Sequence, residues 1–178
     1  MRSGDAESEP VNLACSHRVV RSQRYRDARA LQHFRMFSLC SAGRNTEDLR
    51  FDIERATEHI RFYLRALRAY LGPETHLMSR IVDLSQDPRR EEILSHSVEL
   101  LRGEFVDTDI AIDSTETEKE YYRKLRFTVH VISKAGEEME VVEGDTDWTQ
   151  KLLNNAKERL VTSGMGSERL CRVFGSRR

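Results

Sequence analysis

Proline and cysteine are scarce in this chain, at three residues each, and there is a single tryptophan. With Cys15, Cys40 and Cys171 far apart, no disulfide framework is available, and a reducing compartment follows. Histidines 17, 33, 59, 76, 96 and 130 are equally scattered: no HxxxH pair and no CxxC occurs, so no local motif builds a zinc site. No apolar run approaches the roughly 20 residues that cross a bilayer. Net charge is also missing, with 29 basic against 30 acidic residues, which removes a global electrostatic case for nucleic acid. What is abundant is charge itself, 33% of residues against 38% hydrophobic, so a modest core lies under a highly charged surface.

The 178 residues divide into four stretches. Residues 1–44 are rich in arginine (Arg18, Arg21, Arg24, Arg26, Arg29, Arg35, Arg44), which suits either a mitochondrial presequence or a surface arm. Asp5, Glu7 and Glu9 weigh against the presequence. Residues 45–103 carry helical signals. Asn45 or Thr46 caps a helix whose apolar stripe runs Leu49, Ile53, Ala56, Ile60, Leu64, Leu67 and Leu71, and Gly72-Pro73 ends it. Leu77, Ile81 and Leu84 predict a short helix over 74–84. Asp87 and Pro88 open a third, which buries Ile93, Leu94, Val98 and Leu101 and stops at Gly103.

Within the third helix, Arg90 and His96 are spaced in a way similar to the Arg…His pair of HEPN-type ribonucleases. That likeness implies a helical ribonuclease or nucleic-acid binder in which the two residues share phosphate binding and proton transfer. Residues 104–122 form an acidic linker. Asp107, Asp109 and Glu118 fall at positions 1, 3 and 12 of a calcium loop, but Ala111 and Ile112 occupy its fifth and sixth positions, and the ligand set fails.

Residues 123–178 alternate. Leu125, Phe127, Val129 and Val131 point one way along a strand, Gly136 turns the chain, and Met139 and Val141 alternate in the return strand. Asp145 or Thr146 then caps a helix holding Trp148, Leu152 and Leu153, with Trp148 and Leu152 facing the sheet. Strand, turn, strand, cap and helix make the first half of a β-grasp. The segment "FTVHVISKAGEEMEVVEGDTDWTQKLLNN" resembles the opening of adrenodoxin-type and plant-type 2Fe–2S ferredoxins, with their glycine turn, Gly-Asp-Thr step and helix ending in Asn.

The resemblance implies a cluster loop in "SGMGSERLCRVFGSRR". If Cys171 takes the second thiolate position, Gly166 and Phe174 occupy the first and third, and neither binds iron. The four residues after Phe174 leave no room for a fourth ligand. The expectation is an α+β chain, a helical segment followed by a partial ferredoxin-like β-grasp. No cofactor, metal or catalytic residue is expected. The implied role is a non-catalytic accessory subunit among other protein subunits, of the kind found in mitochondrial respiratory complexes.

Overall fold

The computed structural model describes residues 9–22, 32–44, 50–85, 87–114, 121–132 and 138–175. They form seven strands and four helices in the order β1 (Val11–Val20), β2 (His33–Arg44), α1 (Phe51–Leu71), β3 (His76–Asp83), α2 (Arg89–Glu104), β4 (Thr108–Ile112), β5 (Leu125–Ile132), β6 (Glu138–Thr146), α3 (Trp148–Leu153), β7 (Glu158–Met165) and α4 (Ser167–Phe174). All seven strands join one sheet, ordered β1-β2-β7-β6-β5-β3-β4. Every pairing is antiparallel except β3 with β4.

α1 follows its apolar stripe from Ile53 onward, but it opens at Phe51 with Arg50 as N-cap; Asn45, Thr46 and Leu49, where its start was expected, lie outside the described residues. Ile53, Ala56, Ile60, Leu64 and Leu67 are buried, with Tyr63 added to the same face. Asp52 and Glu54 in its first turn and Arg68 in its last complement the helix dipole. Gly72, at φ 96°, ends it in a conformation that side-chain-bearing residues rarely adopt. α2 likewise begins where Asp87 and Pro88 indicate, and the Asp87 carboxylate accepts the Arg89 N–H at 3.1 Å. The two helices pack on one face of the sheet over Leu77, Ile81, Phe127, Val129 and Val161.

Four readings need correction. Residues 76–83 are a strand, not a helix. Leu77 and Ile81 are four apart, a spacing that fits a helix face and a strand face equally, and the residue between them on the inward side is Ser79. Ser79 is fully buried and donates to the Thr128 carbonyl at 2.9 Å, so a polar side chain masked the alternation. The arginine-rich stretch read as a presequence or surface arm instead contributes strands to the sheet. Residues 11–20 and 33–44, inside the arginine-rich stretch, are the paired strands β1 and β2.

The β-grasp is the third. The β5–β6 hairpin exists, in the register Arg126↔Gly144 to Ile132↔Glu138, and Leu125, Phe127, Val129 and Val131 are buried as the alternation requires. It is no ferredoxin opening, however, because β3 flanks it on one side and β7 on the other, in the middle of a large sheet. β6 runs on through Asp145 and Thr146, where a helix cap was expected. The Asp145 carboxylate instead accepts the N–H groups of Lys124 and Leu125, both at 2.6 Å. α3 has six residues and buries none: Trp148 is 50% exposed and Leu152 83%.

The cluster loop is the fourth. Residues 158–174 are a strand and a helix, with Gly166 at the α4 N-cap and Phe174 packed against the core. The Cys171 Sγ lies 3.6 Å from the Tyr70 hydroxyl. Gly136 and Glu118 lie outside the described residues. Among the described residues no group of three His, Cys, Asp or Glu could hold a metal ion, and Asp109 is paired with Arg80. No described helix is long and apolar enough to cross a membrane.

Candidate functional site

Arg90 and His96 do not meet. Six residues apart on α2, they project about 120° apart around the helix axis. Arg90 is 1% exposed and pairs with Asp52 at 2.7 Å and Asp83 at 3.3 Å, binding α1, α2 and β3 together. Burial opposes the charge on the guanidinium, but the two carboxylates outweigh it and raise its pKa. His96 lies in the surface groove between the helices, beside Arg55 and Glu92. A buried structural cation and an exposed imidazole facing elsewhere cannot share one phosphate, which overturns the ribonuclease arrangement.

Between α1 and the sheet is a buried relay that spacing did not reveal. Ser41 on β2 and Ser163 on β7 flank His59 of α1, at 3.0 Å from Nε2 and 2.9 Å from Nδ1. Ser41 spends its own proton on the Asn12 Oδ1 at 2.6 Å. Nε2–H therefore donates to Ser41 Oγ, and Nδ1 accepts from Ser163, which assigns the tautomer. Burial, and after it the Arg55 charge, lower the His59 pKa to about 4, so the ring is neutral near pH 7. The relay ties edge strand β1 through β2 to α1 and β7.

The concentration of charge with binding potential lies at the other end of β2. Arg18 and Arg35 are direct cross-strand partners on β1 and β2. β7 ends at Met165, opposite Phe37, and the chain turns at Gly166 into α4, whose first residues meet the start of β2. The Glu168 Oε2 accepts the Arg35 backbone N–H at 3.1 Å, and Ser167 Oγ donates to the Arg35 carbonyl at 3.3 Å. Arg18 and Arg172 stand 3.9 and 3.6 Å from the same carboxylate. The Arg35 guanidinium reaches Ser16 Oγ at 3.5 Å. Arg169 follows Glu168 in α4, and its Nε is buried without a hydrogen bond.

Arg18, Arg35 and Arg172 thus meet at Glu168, with Arg169 next to it in the chain, at a helix N-terminus that has no side-chain cap. The helix end and the guanidinium forks both favour an anion, and a phosphate matches the forks in shape. Arg18 and Arg35 belong to the arginine-rich stretch noted in the sequence. The signal was present, but the partner that focuses it, α4, lies more than 130 residues away.

No protein-family model and no curated protein matches the sequence. Solved structures do match. Histidyl-tRNA synthetase from S. aureus superimposes with a TM-score of 0.66 at 15% identity, over 94% of this chain and 45% of that one. The histidyl-tRNA synthetase from Nostoc sp. PCC 7120 gives 0.61 at 11%, over 95% and 55%. A chain of the ATP phosphoribosyl transferase (HisG:HisZ) complex from Thermotoga maritima gives 0.60 at 13%, over 92% and 76%.

The fold is that of a class II aminoacyl-tRNA synthetase core. At these identities the likeness concerns the fold, and this synthetase-like chain spans about half the length of the synthetases it matches. The match runs through nearly all of the chain, so it replaces the ferredoxin resemblance and the respiratory-subunit role inferred from it.

Proposed function

We propose that this synthetase-like domain binds a phosphate-bearing small molecule, a nucleotide, at the Arg18–Arg35–Arg169–Arg172 corner, and serves a protein partner without catalysing a reaction itself. The observation that carries the reading is the excess of arginine over carboxylate at the uncapped N-terminus of α4, where Arg18, Arg35 and Arg172 meet the single Glu168 and the neighbouring Arg169 has a buried Nε without a hydrogen bond. The absence of catalysis is supported by how the corner's polar groups are employed. Glu168 is committed to a backbone N–H and to two arginines, and His59 is buried between two serines under α1, at the other end of β2. Neither is placed to move a proton on a bound ligand. Partnership is supported by the fold shared with a chain of the HisG:HisZ complex.

The test is equilibrium binding of ATP and of adenosine to the full chain by calorimetry. ATP should bind, adenosine should bind at least tenfold more weakly, and Arg18→Gln with Arg169→Gln should erase the difference. Equal affinity for the two ligands, or no effect of the double variant, would overturn the phosphate site. Histidine-dependent exchange of pyrophosphate into ATP should be absent. Its presence would leave the site standing and make the domain an enzyme.

A further inference from the structure

A second chemical feature lies on the face of the sheet away from the helices. Ser41 and Ser163 point to His59 on α1, so Cys40, their neighbour in the alternation, points to the opposite face. The β1–β2 register sets Leu13 opposite Cys40 and Cys15 opposite Ser38. Leu13, Cys15 and His17 therefore share the Cys40 face, and the two cysteines are one diagonal step apart across adjacent strands. Cys15 is exposed, Cys40 is half-buried, and neither is in a disulfide. The Cys15 Sγ lies 3.4 Å from His17 Nδ1, within reach for the imidazole to accept the thiol proton.

We propose that Cys15 and Cys40 are a redox-responsive thiol pair, and that His17 opens their reaction with a low-molecular-weight disulfide such as oxidised glutathione. His17 takes the Cys15 proton, and the thiolate attacks one sulfur of the reagent. A Cys15–glutathione bond forms, the reagent's S–S bond breaks, and the expelled glutathione thiolate takes the proton from His17. Cys40 then attacks the Cys15 sulfur, forms the Cys15–Cys40 bond and expels the second glutathione, which leaves with the Cys40 proton. Two protein thiols are oxidised, one glutathione disulfide is reduced, and two glutathione thiols are released.

The strand geometry supports both steps. Diagonal neighbours in an antiparallel pair have Cα atoms about 7–8 Å apart, slightly beyond the range a disulfide spans. Closure therefore requires β1 to shift by about 1–2 Å relative to β2. Among the described residues β1 has only that one sheet neighbour, and nine of its ten residues are exposed, so the shift breaks no packed core. Cys171 belongs to α4, in the helix layer beside Tyr70, and takes no part.

The experiment uses the full chain with Cys171→Ser, treated with oxidised glutathione and followed by intact mass. This parent should lose two hydrogens and retain no glutathione. Adding Cys40→Ser should trap one glutathione on Cys15. Adding Cys15→Ser should slow the reaction at least tenfold, and His17→Asn should slow the first step by a similar factor. A melting curve for each reduced variant separates loss of fold from loss of reactivity. Retention of glutathione by the parent would remove Cys40 from the pair. Equal rates with and without Cys15, among variants that melt alike, would overturn the proposal.

Discussion

At the residue scale, His59 has the strongest consequence for stability. Its pKa falls from 6.5 to about 4 on folding, so the folded chain binds fewer protons there than the unfolded chain. That contribution is fully present above pH 6.5 and is lost as the pH falls toward 4. The shift corresponds to on the order of 3 kcal/mol. Melting between pH 4 and 7 should show the loss, and His59→Gln should flatten the profile while costing about 1–2 kcal/mol at pH 7. If the variant keeps the parent's slope, other groups set it. Arg90 shows the opposite arrangement, a buried charge kept ionised by Asp52 and Asp83. The sequence displayed it as a candidate functional arginine because burial cannot be read from a side chain's identity.

At the element scale, two glycines separate a required absence of side chain from an incidental one. A Cβ at Gly144, on β6, would stand 2.1 Å from the Leu125 carbonyl oxygen and 2.9 Å from the Tyr122 ring. Because the first of these is backbone, Gly144→Ala must displace β5 and should destabilise the chain by about 3 kcal/mol or more. Gly103, in the last turn of α2, has open space around it, so Gly103→Ala should stabilise by roughly 0.5–1 kcal/mol. Chemical denaturation of the two variants checks the contrast, and a tolerated Gly144→Ala would refute the close β5–β6 approach. The same scale explains the misread elements. α1 and α2 carry enough turns for a 3.6-residue period to stand out, whereas the eight residues of β3 do not distinguish it from a period of two. In β1, exposure on both faces removes the alternation altogether.

For the whole molecule, the decisive contact is β2 with β7, from Phe37↔Met165 to Arg44↔Glu158. It joins segments more than 110 residues apart and places the arginine corner. Removing residues 1–44 should strip β7 of that partner, expose the edge beside Val161 and leave Ser163 without the His59–Ser41–Asn12 chain. Residues 45–178 alone should therefore melt without a sharp transition and self-associate, as thermal scans and size-exclusion chromatography would show. A cooperative monomeric fragment would mean that the β1–β2 hairpin is an accessory.

The sequence by itself determined the local features: the α1 stripe and its Gly72 stop, the opening of α2 at Asp87-Pro88, and the inward set Leu125, Phe127, Val129 and Val131 of β5. Each depends on neighbours within a few residues, where the helical and strand periods act. Only the tertiary structure decided that the β5–β6 hairpin lies inside a seven-stranded sheet, that Trp148 stays half exposed, and that Arg18 and Arg35 meet Glu168. A hairpin has the same alternation in a small β-grasp and in a large sheet. What distinguishes them is which distant strand satisfies its edge hydrogen bonds, and that choice is made by packing across the whole chain.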